Sequence, residues 1–300
     1  MQSFQKKSLP KRIILIRHGE SLGNVDEKIF GITSDYKIPL TPSGMKQAEK
    51  AGKQILNIVS EQRKSRDWNV YFYVSPYCRT RETLKGIGKA FPKNRVIGVK
   101  EECRVREQDF GNFQDFEKMK ELKEIRNRYG TFFYRFPEGE SGADVFDRVS
   151  SFLESLWRDI DMNRYPDNCY SDNNLNLIIV SHGLCIRIFL MRWFKWTVEQ
   201  FELLYNPKNA EYRVMELGQD GDYSLSIHHS DETLQAWGLS PEMIAEQKWR
   251  AKGDLSEKRL WNCEAFFDSL AETDESEDEA ILGHRDLTSS QIDGSGCGGT

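Results

Sequence analysis

Two segments far apart in this chain share one layout, an apolar, β-branched run followed by a histidine and a glycine. Residues 13–16 (Ile-Ile-Leu-Ile) lead into Arg-His-Gly-Glu-Ser at 17–21, and residues 177–180 (Leu-Ile-Ile-Val) lead into Ser-His-Gly at 181–183. Such a run is typical of a strand buried on both faces in a parallel sheet. Open α/β sheets bind their ligands at the carboxyl ends of such strands. The repeated layout therefore predicts an α/β chain with both histidines at one sheet edge.

A single histidine near a strand end is usually a structural residue. The functional interpretation therefore depends on the fact that the same strand-His-Gly layout occurs twice. The chain has only five histidines, and two of them, His18 and His182, occur in this same context. Arg17 precedes His18 directly, and an arginine beside a histidine favours a bound oxyanion next to a nucleophile or proton carrier.

The expected chemistry is that of a phosphoryl dianion. Arg79 follows a second predicted strand at 70–74 and is expected at the same sheet edge. Arginines would repel a metal ion but bind phosphate, and they lower the pKa of a neighbouring histidine, which keeps His18 neutral and nucleophilic. Arg17, Arg79 and His182 could stabilise the charge on the transferring group. A carboxylic acid must protonate the leaving oxygen, and spacing alone leaves several candidates open.

Composition limits what else the chain could be. The formal net charge is −5, but residues 268–300 alone carry −8 and leave +3 for the rest, which suits a small anionic substrate and not a nucleic acid. The most apolar stretch, residues 184–196, is interrupted by three basic residues, so no membrane span is expected. Residues 1–12 contain basic residues but no apolar segment, so we do not expect them to be a secretory signal. The six cysteines have no metal-binding spacing and indicate a reducing compartment, and we expect a cytoplasmic protein.

Helix signals lie between the predicted strands. Thr41 and Pro42 begin a helix that should run to about residue 60, although Gly44 and Gly52 are expected to weaken it a little. Ser141 starts a capping box for a helix with one continuous apolar stripe. A hairpin is expected to pair residues 211–217 with 223–228.

The predicted organisation has four parts. Residues 1–11 form a disordered basic arm, residues 12–230 the catalytic domain, residues 231–270 a helical extension, and residues 271–300 an acidic and then Gly/Ser-rich disordered tail.

Four ordered motifs resemble the histidine phosphatase superfamily, the phosphoglycerate mutase-like proteins. Besides the two histidine segments, Leu-Thr-Pro-Ser-Gly at 40–44 is similar to the family's LTxxG segment. The sequence at 75–83 is similar to its SPxxRxxxT segment. The resemblance implies a three-layer α/β/α sandwich with a mostly parallel central sheet.

The resemblance also implies roles for particular residues. His18 is the expected phosphorylated nucleophile, and Glu107 occupies the family's acid/base position. Arg17, Arg79 and His182 complete the expected phosphate pocket. Secondary phosphate contacts are expected from the remaining three site residues, Ser21, Asn24 and the backbone of Gly183. No metal or other cofactor is implied, and the expected partner is a small phosphorylated substrate, without nucleic acid or membrane.

Within the family, the sequence around Glu107 (Val-Arg-Glu-Gln-Asp-Phe-Gly) looks like the phosphatase branch. Residues 132–141 and 189–196 are most similar to a eukaryotic subgroup with a fungal broad-range acid phosphatase and plant phosphoglycerate mutase-like proteins. We therefore expect a phosphomonoesterase. One alternative is a phosphoglycerate mutase, and a second is a regulatory module that binds phosphate esters without turnover. The sequence leaves the substrate and the oligomeric state open.

Overall fold

The computed structural model of the chain describes residues 9–60, 68–111, 116–165 and 175–253. These residues belong to one compact unit that ends at Gly253. Most of the predicted basic arm, residues 254–270 of the predicted helical extension and the tail at 271–300 lie outside the described residues.

The described part of the chain contains six strands in one sheet. They are β1 (Arg12–Arg17), β2 (Asn69–Val74), β3 (Val96–Glu101), β4 (Leu175–Ser181), β5 (Tyr212–Leu217) and β6 (Tyr223–Ser224). Their order across the sheet is β3-β2-β4-β1-β5-β6. The first four are parallel, β5 runs antiparallel to β1, and β6 runs antiparallel to β5. The prediction of a mostly parallel sheet is confirmed.

The apolar runs are explained by burial on both faces of the sheet. Ile13 and Leu15 of β1 belong to one apolar core, whereas Ile14 and Ile16 belong to a second core. Successive strand residues point to opposite faces, and all four side chains are at most 1% exposed. A strand in this position has no solvent-facing side, so its sequence shows no alternation of polar and apolar residues.

Helices cover both faces of the sheet. In the described residues they are α1 (Leu22–Val25), α2 (Pro42–Ser60), α3 (Cys78–Gly88), α4 (Phe116–Tyr129), α5 (Gly142–Asp161), α6 (Gly183–Phe194), α7 (Val198–Leu203), α8 (Asp231–Ala236) and α9 (Pro241–Lys252). Ile55 of α2 and Ile87 of α3 join the core on one face, and Phe152 of α5 and Phe189 of α6 join the core on the other. The three-layer sandwich is therefore confirmed. None of the helices in the described residues has the length and apolar character to cross a bilayer.

Local signals placed the long helices well. The predicted start of α2 at Pro42 is confirmed, and Ser141 and Asp144 form the predicted reciprocal capping box at the start of α5. The hairpin prediction was wrong in length, because β6 ends at Ser224. After it the chain turns, with the N–H groups of His228 and His229 both donating to the carbonyl of Leu225.

Helices α8 and α9 share the larger core. Leu234, Met243 and Ile244 are at most 4% exposed and pack in the same cluster as Ile13 and Leu15. The described part of the predicted extension thus contributes buried side chains to the core beside the sheet.

Candidate active site

The register of the central strands brings the two histidines together. β1 and β4 are parallel neighbours in which Arg17 is paired with Ser181, so the next residue of each strand emerges at the same sheet edge. The backbone N–H of His18 donates to the carbonyl of Ser181 (3.0 Å), and the rings of His18 and His182 lie edge to face with centroids 5.2 Å apart. Both side chains are at most 2% exposed. The predicted pairing of these residues is a consequence of strand order.

A single hydrogen bond defines the tautomer of His18. Its Nδ1 lies 2.7 Å from the carbonyl oxygen of Gly19, and because a carbonyl only accepts, Nδ1 carries the proton. Nε2 then keeps its lone pair in the neutral ring. Burial, and after it the charges of Arg79 and Arg17, lowers the pKa of His18 well below its usual 6.5. The ring is therefore neutral and oriented for nucleophilic attack through Nε2.

The loop that carries His18 is held against helix α2 by glycine contacts. A Cβ atom at Gly19 would lie 2.4 Å from the carbonyl oxygen of Gly44, and one at Gly44 would lie 2.0 Å from that of Glu20. No side chain fits in either place. The N–H of Gly19 also donates to Thr83 Oγ1 (3.0 Å) on α3. Two helices thus set the position of the nucleophile.

His182 is anchored at the other ring nitrogen. Its Nε2 is 2.8 Å from Ser75 Oγ, at the end of β2, while its buried Nδ1 has no hydrogen-bond partner in the protein and lies 3.8 Å from Glu107 Oε2. Burial, with Arg79 and His18 as the next causes, lowers the pKa of His182 well below 6.5. An unpartnered polar atom at such depth is costly in a closed site, and it favours a polar ligand between these groups.

The two arginines have different partners. Arg17 donates through Nη1 to the carbonyl of Pro207 (2.7 Å), and its buried Nε has no protein partner. Arg79, in the first turn of α3, donates through Nη1 to the Asp35 carboxylate (2.7 Å) and to the Asp35 carbonyl (2.9 Å). Its guanidinium also lies 4.8 Å from the centroid of the Tyr77 ring. A phosphate on Arg79 would have to share or displace Asp35.

Glu107 is the carboxyl group that lies beside His182. Burial raises the pKa of its carboxyl above the usual 4.5, although the charges of Arg79 and Arg17 oppose this. Glu107 Oε1 accepts from the N–H of Gln108 (3.0 Å). A protonated carboxyl beside His182 is suited to donating a proton to a leaving oxygen.

Helix α5 braces the segment that carries this carboxyl. Arg148 donates to the carbonyls of Arg104 (2.7 Å), Arg106 (3.0 Å) and Glu107 (3.0 Å). Arg148 also forms an ion pair with Glu140 (2.9 Å), whose second oxygen accepts from the N–H of Asp109. The acid is therefore positioned by a buried network and not by its own loop alone.

The three residues predicted to make secondary contacts lie beside this centre. Ser21 caps α1, and Asn24 Oδ1 accepts from its N–H (3.1 Å) and from Asn209 Nδ2 (2.9 Å). Gly183 is the first residue of α6, where a Cβ atom would come within 3.0 Å of Asn206. The phosphate contacts of Ser21, Asn24 and Gly183 stay a prediction.

Sequence reasoning missed several parts of the site. Ser75 could have been found, because it directly follows a predicted strand. Asp35 could not, since it lies in a three-residue helical turn too short to show periodicity, and its bond to Arg79 spans 44 residues. The Arg148–Glu140 pair was hidden among the ordinary surface charges of a core helix.

Comparison with known proteins identifies the family to which a chain with this fold and this site belongs. Residues 13–229 match the histidine phosphatase superfamily (branch 1), and the chain belongs to that superfamily.

Its relatives include two of the kinds expected from the sequence. The phosphoglycerate mutase-like protein AT74 of Arabidopsis thaliana is 63% identical over 93% of this chain and 89% of that protein. The broad-range acid phosphatase DET1 of Saccharomyces cerevisiae is 33% identical over 76% of this chain and 90% of its own length. The predicted resemblance to plant and fungal members is confirmed.

Among solved structures, a mycobacterial glucosyl-3-phosphoglycerate phosphatase has the same fold. It superimposes with a TM-score of 0.53 at 19% identity, covering 69% of this chain and 91% of its own.

Proposed function

We propose that the chain is a phosphomonoesterase that works through a phosphohistidine at His18, on a small phosphorylated metabolite or a broad range of phosphate esters. Membership of the histidine phosphatase superfamily and a relative named as an acid phosphatase support phosphatase activity. The observation that supports the mechanism is that the pKa values of two neighbouring groups are shifted in opposite directions, which favours a deprotonated nucleophile next to a protonated acid. His18 is neutral with Nε2 available, and the nearby Glu107 has a raised pKa.

In the first step, Nε2 of His18 attacks phosphorus while the bond from phosphorus to the ester oxygen breaks. Glu107 gives its proton to that oxygen, so the alcohol leaves neutral. Arg17, Arg79 and His182 stabilise the negative charge on the three equatorial oxygens. No metal ion is needed in this scheme.

In the second step, water attacks the phosphorus of the phosphohistidine. Glu107, now a carboxylate, takes a proton from the water, and the bond from phosphorus to Nε2 breaks. Inorganic phosphate leaves, and both groups return to their starting protonation states.

The test is to trap the covalent intermediate. The protein is mixed with 32P-labelled 4-nitrophenyl phosphate, quenched rapidly in alkali and examined for acid-labile label on histidine. We expect label on His18 that decays to inorganic phosphate, and none in His18→Ala. His228→Ala is the matched control, because His228 is exposed and lies outside the site.

Other outcomes would identify the alternatives. Label that is stable in water but moves to added phosphoglycerate would indicate a mutase. Binding of phosphate esters with neither label nor turnover would indicate a regulatory module.

A further inference from the structure

A cleft of about 380 Å³ opens beside the phosphate-binding groups. We call it the acidic–aromatic cleft, because its lining includes four rings and two carboxylates, namely Phe30, Tyr36, Tyr77, Phe110, Asp35 and Asp109. It lies between the loop after α1 and the segment that follows Glu107.

The cleft is continuous with the reacting groups. The Tyr77 ring has its centroid 5.0 Å from that of His182 and lies under the guanidinium of Arg79. Asp35 is the carboxylate bound to that same guanidinium, and Asp109 follows Glu107 by two residues. An alcohol that leaves from phosphorus toward the proton of Glu107 therefore leaves at the mouth of this cleft.

The charged residues that line the cleft are all acidic. Its described lining residues include no lysine or arginine. Arg79, which lies over the Tyr77 ring, is already paired with Asp35, and the Lys37 ammonium lies over the Tyr36 ring, 5.5 Å from its centroid, without lining the cleft. A carboxylate on the alcohol portion of a substrate would face Asp35 and Asp109, and no lysine or arginine is among the described lining residues to bind it.

We propose that the acidic–aromatic cleft holds the alcohol portion of the substrate, and that it selects a ring-bearing group that is uncharged or cationic over an anionic one. This inference rests on the proposed phosphomonoesterase function and names its substrate class. The aromatic walls give a flat ring apolar and edge-to-face contacts, and they attract a cation through their ring faces. The carboxylates add attraction for a cation and repulsion for an anion.

The experiment compares three esters that differ in one substituent, phenyl phosphate, 4-carboxyphenyl phosphate and 4-(aminomethyl)phenyl phosphate. kcat/KM is measured for each with the wild-type protein and with Asp109→Asn. Asparagine keeps an oxygen for the N–H of Gly111, which donates to Asp109 Oδ1 (2.9 Å). Asp147→Asn removes the same charge from an exposed position on α5 and is the matched control.

We expect the wild type to prefer the amine and to disfavour the carboxylate. Asp109→Asn should raise kcat/KM for the carboxylate relative to phenyl phosphate by about threefold and lower that for the amine by a similar factor. The intrinsic reactivity of each ester cancels when the variant is divided by the wild type. Asp35→Asn should shift the same ratios in the same direction, with an added change in the affinity for inorganic phosphate because it contacts Arg79.

The outcomes separate the two proposals. Hydrolysis of all three esters with unchanged ratios in Asp109→Asn and Asp35→Asn would overturn the inference and leave the phosphatase in place. A ratio change of equal size in Asp147→Asn would also overturn it, because the effect would then come from net charge. No hydrolysis of any ester by the wild type would overturn the proposed function, and the inference with it.

Discussion

At the scale of single residues, burial shifts the pKa values of the proposed nucleophile and the proposed acid in opposite directions. Desolvation disfavours the charged form of each group, so it lowers the pKa of His18 and raises that of Glu107. The surrounding arginines reinforce the first shift and oppose the second. These opposite shifts widen the pH range in which a neutral histidine and a protonated glutamate coexist, compared with an exposed pair.

These shifts predict a bell-shaped dependence of kcat/KM on pH. The reactive form needs His18 without its second proton and Glu107 with its proton. Because the pKa of His18 lies well below 6.5, the acid limb should lie well below that pH, and the alkaline limb should follow the raised pKa of Glu107. A profile that is flat from pH 4 to 9 would contradict both assignments.

Glu107→Gln tests the acid separately. It should remove the alkaline limb and lower kcat/KM for an alkyl phosphate by about 10²–10⁴. The loss should be much smaller for 4-nitrophenyl phosphate, since nitrophenolate leaves without a proton, and a burst of nitrophenol should precede slow turnover. Glu199→Gln, at an exposed site on α7, is the control. An equal loss for both esters would show that Glu107 acts only through structure.

The sequence identifies residues whose position follows from strand ends and motifs, but not those placed by the remote packing of loops. His18 and His182 were predictable because a parallel register aligns the ends of two apolar runs. Asp35 and Arg148 were not, because Asp35 binds Arg79, 44 residues away, and Arg148 binds backbone carbonyls of the Glu107 segment, more than 40 residues away. Asp35 can contact Arg79 only after α1 and the turns that follow it have folded.

At the scale of elements, glycines allow the helices of one layer to approach each other and the loop of the nucleophile. On propensity alone, Gly44 and Gly52 were expected to weaken α2. The structure gives them a packing role, since a Cβ atom at Gly52 would lie 2.6 Å from the carbonyl oxygen of Ile87 in α3. Helix propensity accounts only for the destabilisation that a glycine causes within its own helix. The close contact that compensates for it is made with a neighbouring helix or loop.

Gly44→Ala is therefore expected to impair catalysis as well as stability. The added methyl overlaps the carbonyl of Glu20, so the loop of His18 or the start of α2 must shift. A shift of about 1 Å at a reacting group costs on the order of 10²-fold in rate, and overpacking costs about 1–3 kcal/mol of unfolding free energy. The measurements are kcat/KM and urea unfolding.

Gly88→Ala is the matched control for this prediction. It lies at the end of α3, and a Cβ atom there meets nothing within 4 Å. It should leave kcat/KM unchanged and stabilise the fold by about 0.4–1 kcal/mol. Wild-type kinetics in Gly44→Ala would show that the close approach does not position the nucleophile.

At the scale of the whole molecule, the larger core joins the sheet, α5, α6 and the last described helices. Trp237 of this core packs against a histidine whose desolvation is costly in acid. His229 accepts a hydrogen bond from the N–H of Val214 through Nε2 (2.9 Å), and its ring packs on Trp237. Burial, with His228 and Arg213 as the next causes, lowers the pKa of His229 to about 3. Together with His18 and His182, it is one of three histidines that folding holds neutral.

Folding should therefore become less favourable as the pH falls below about 6.5. Between the usual pKa of 6.5 and the lowered folded-state value, the unfolded chain binds a proton at each of these residues that the folded chain does not, so the unfolding free energy decreases toward low pH. For His229 the effect between pH 7.5 and pH 5 is about 1–2 kcal/mol. His229→Gln offers an uncharged acceptor to Val214 and should show a smaller loss on acidification by that amount. Urea unfolding of both proteins at both pH values measures the difference. An identical pH dependence in His229→Gln and the wild type would mean that His229 takes its proton in the folded state as readily as in the unfolded chain.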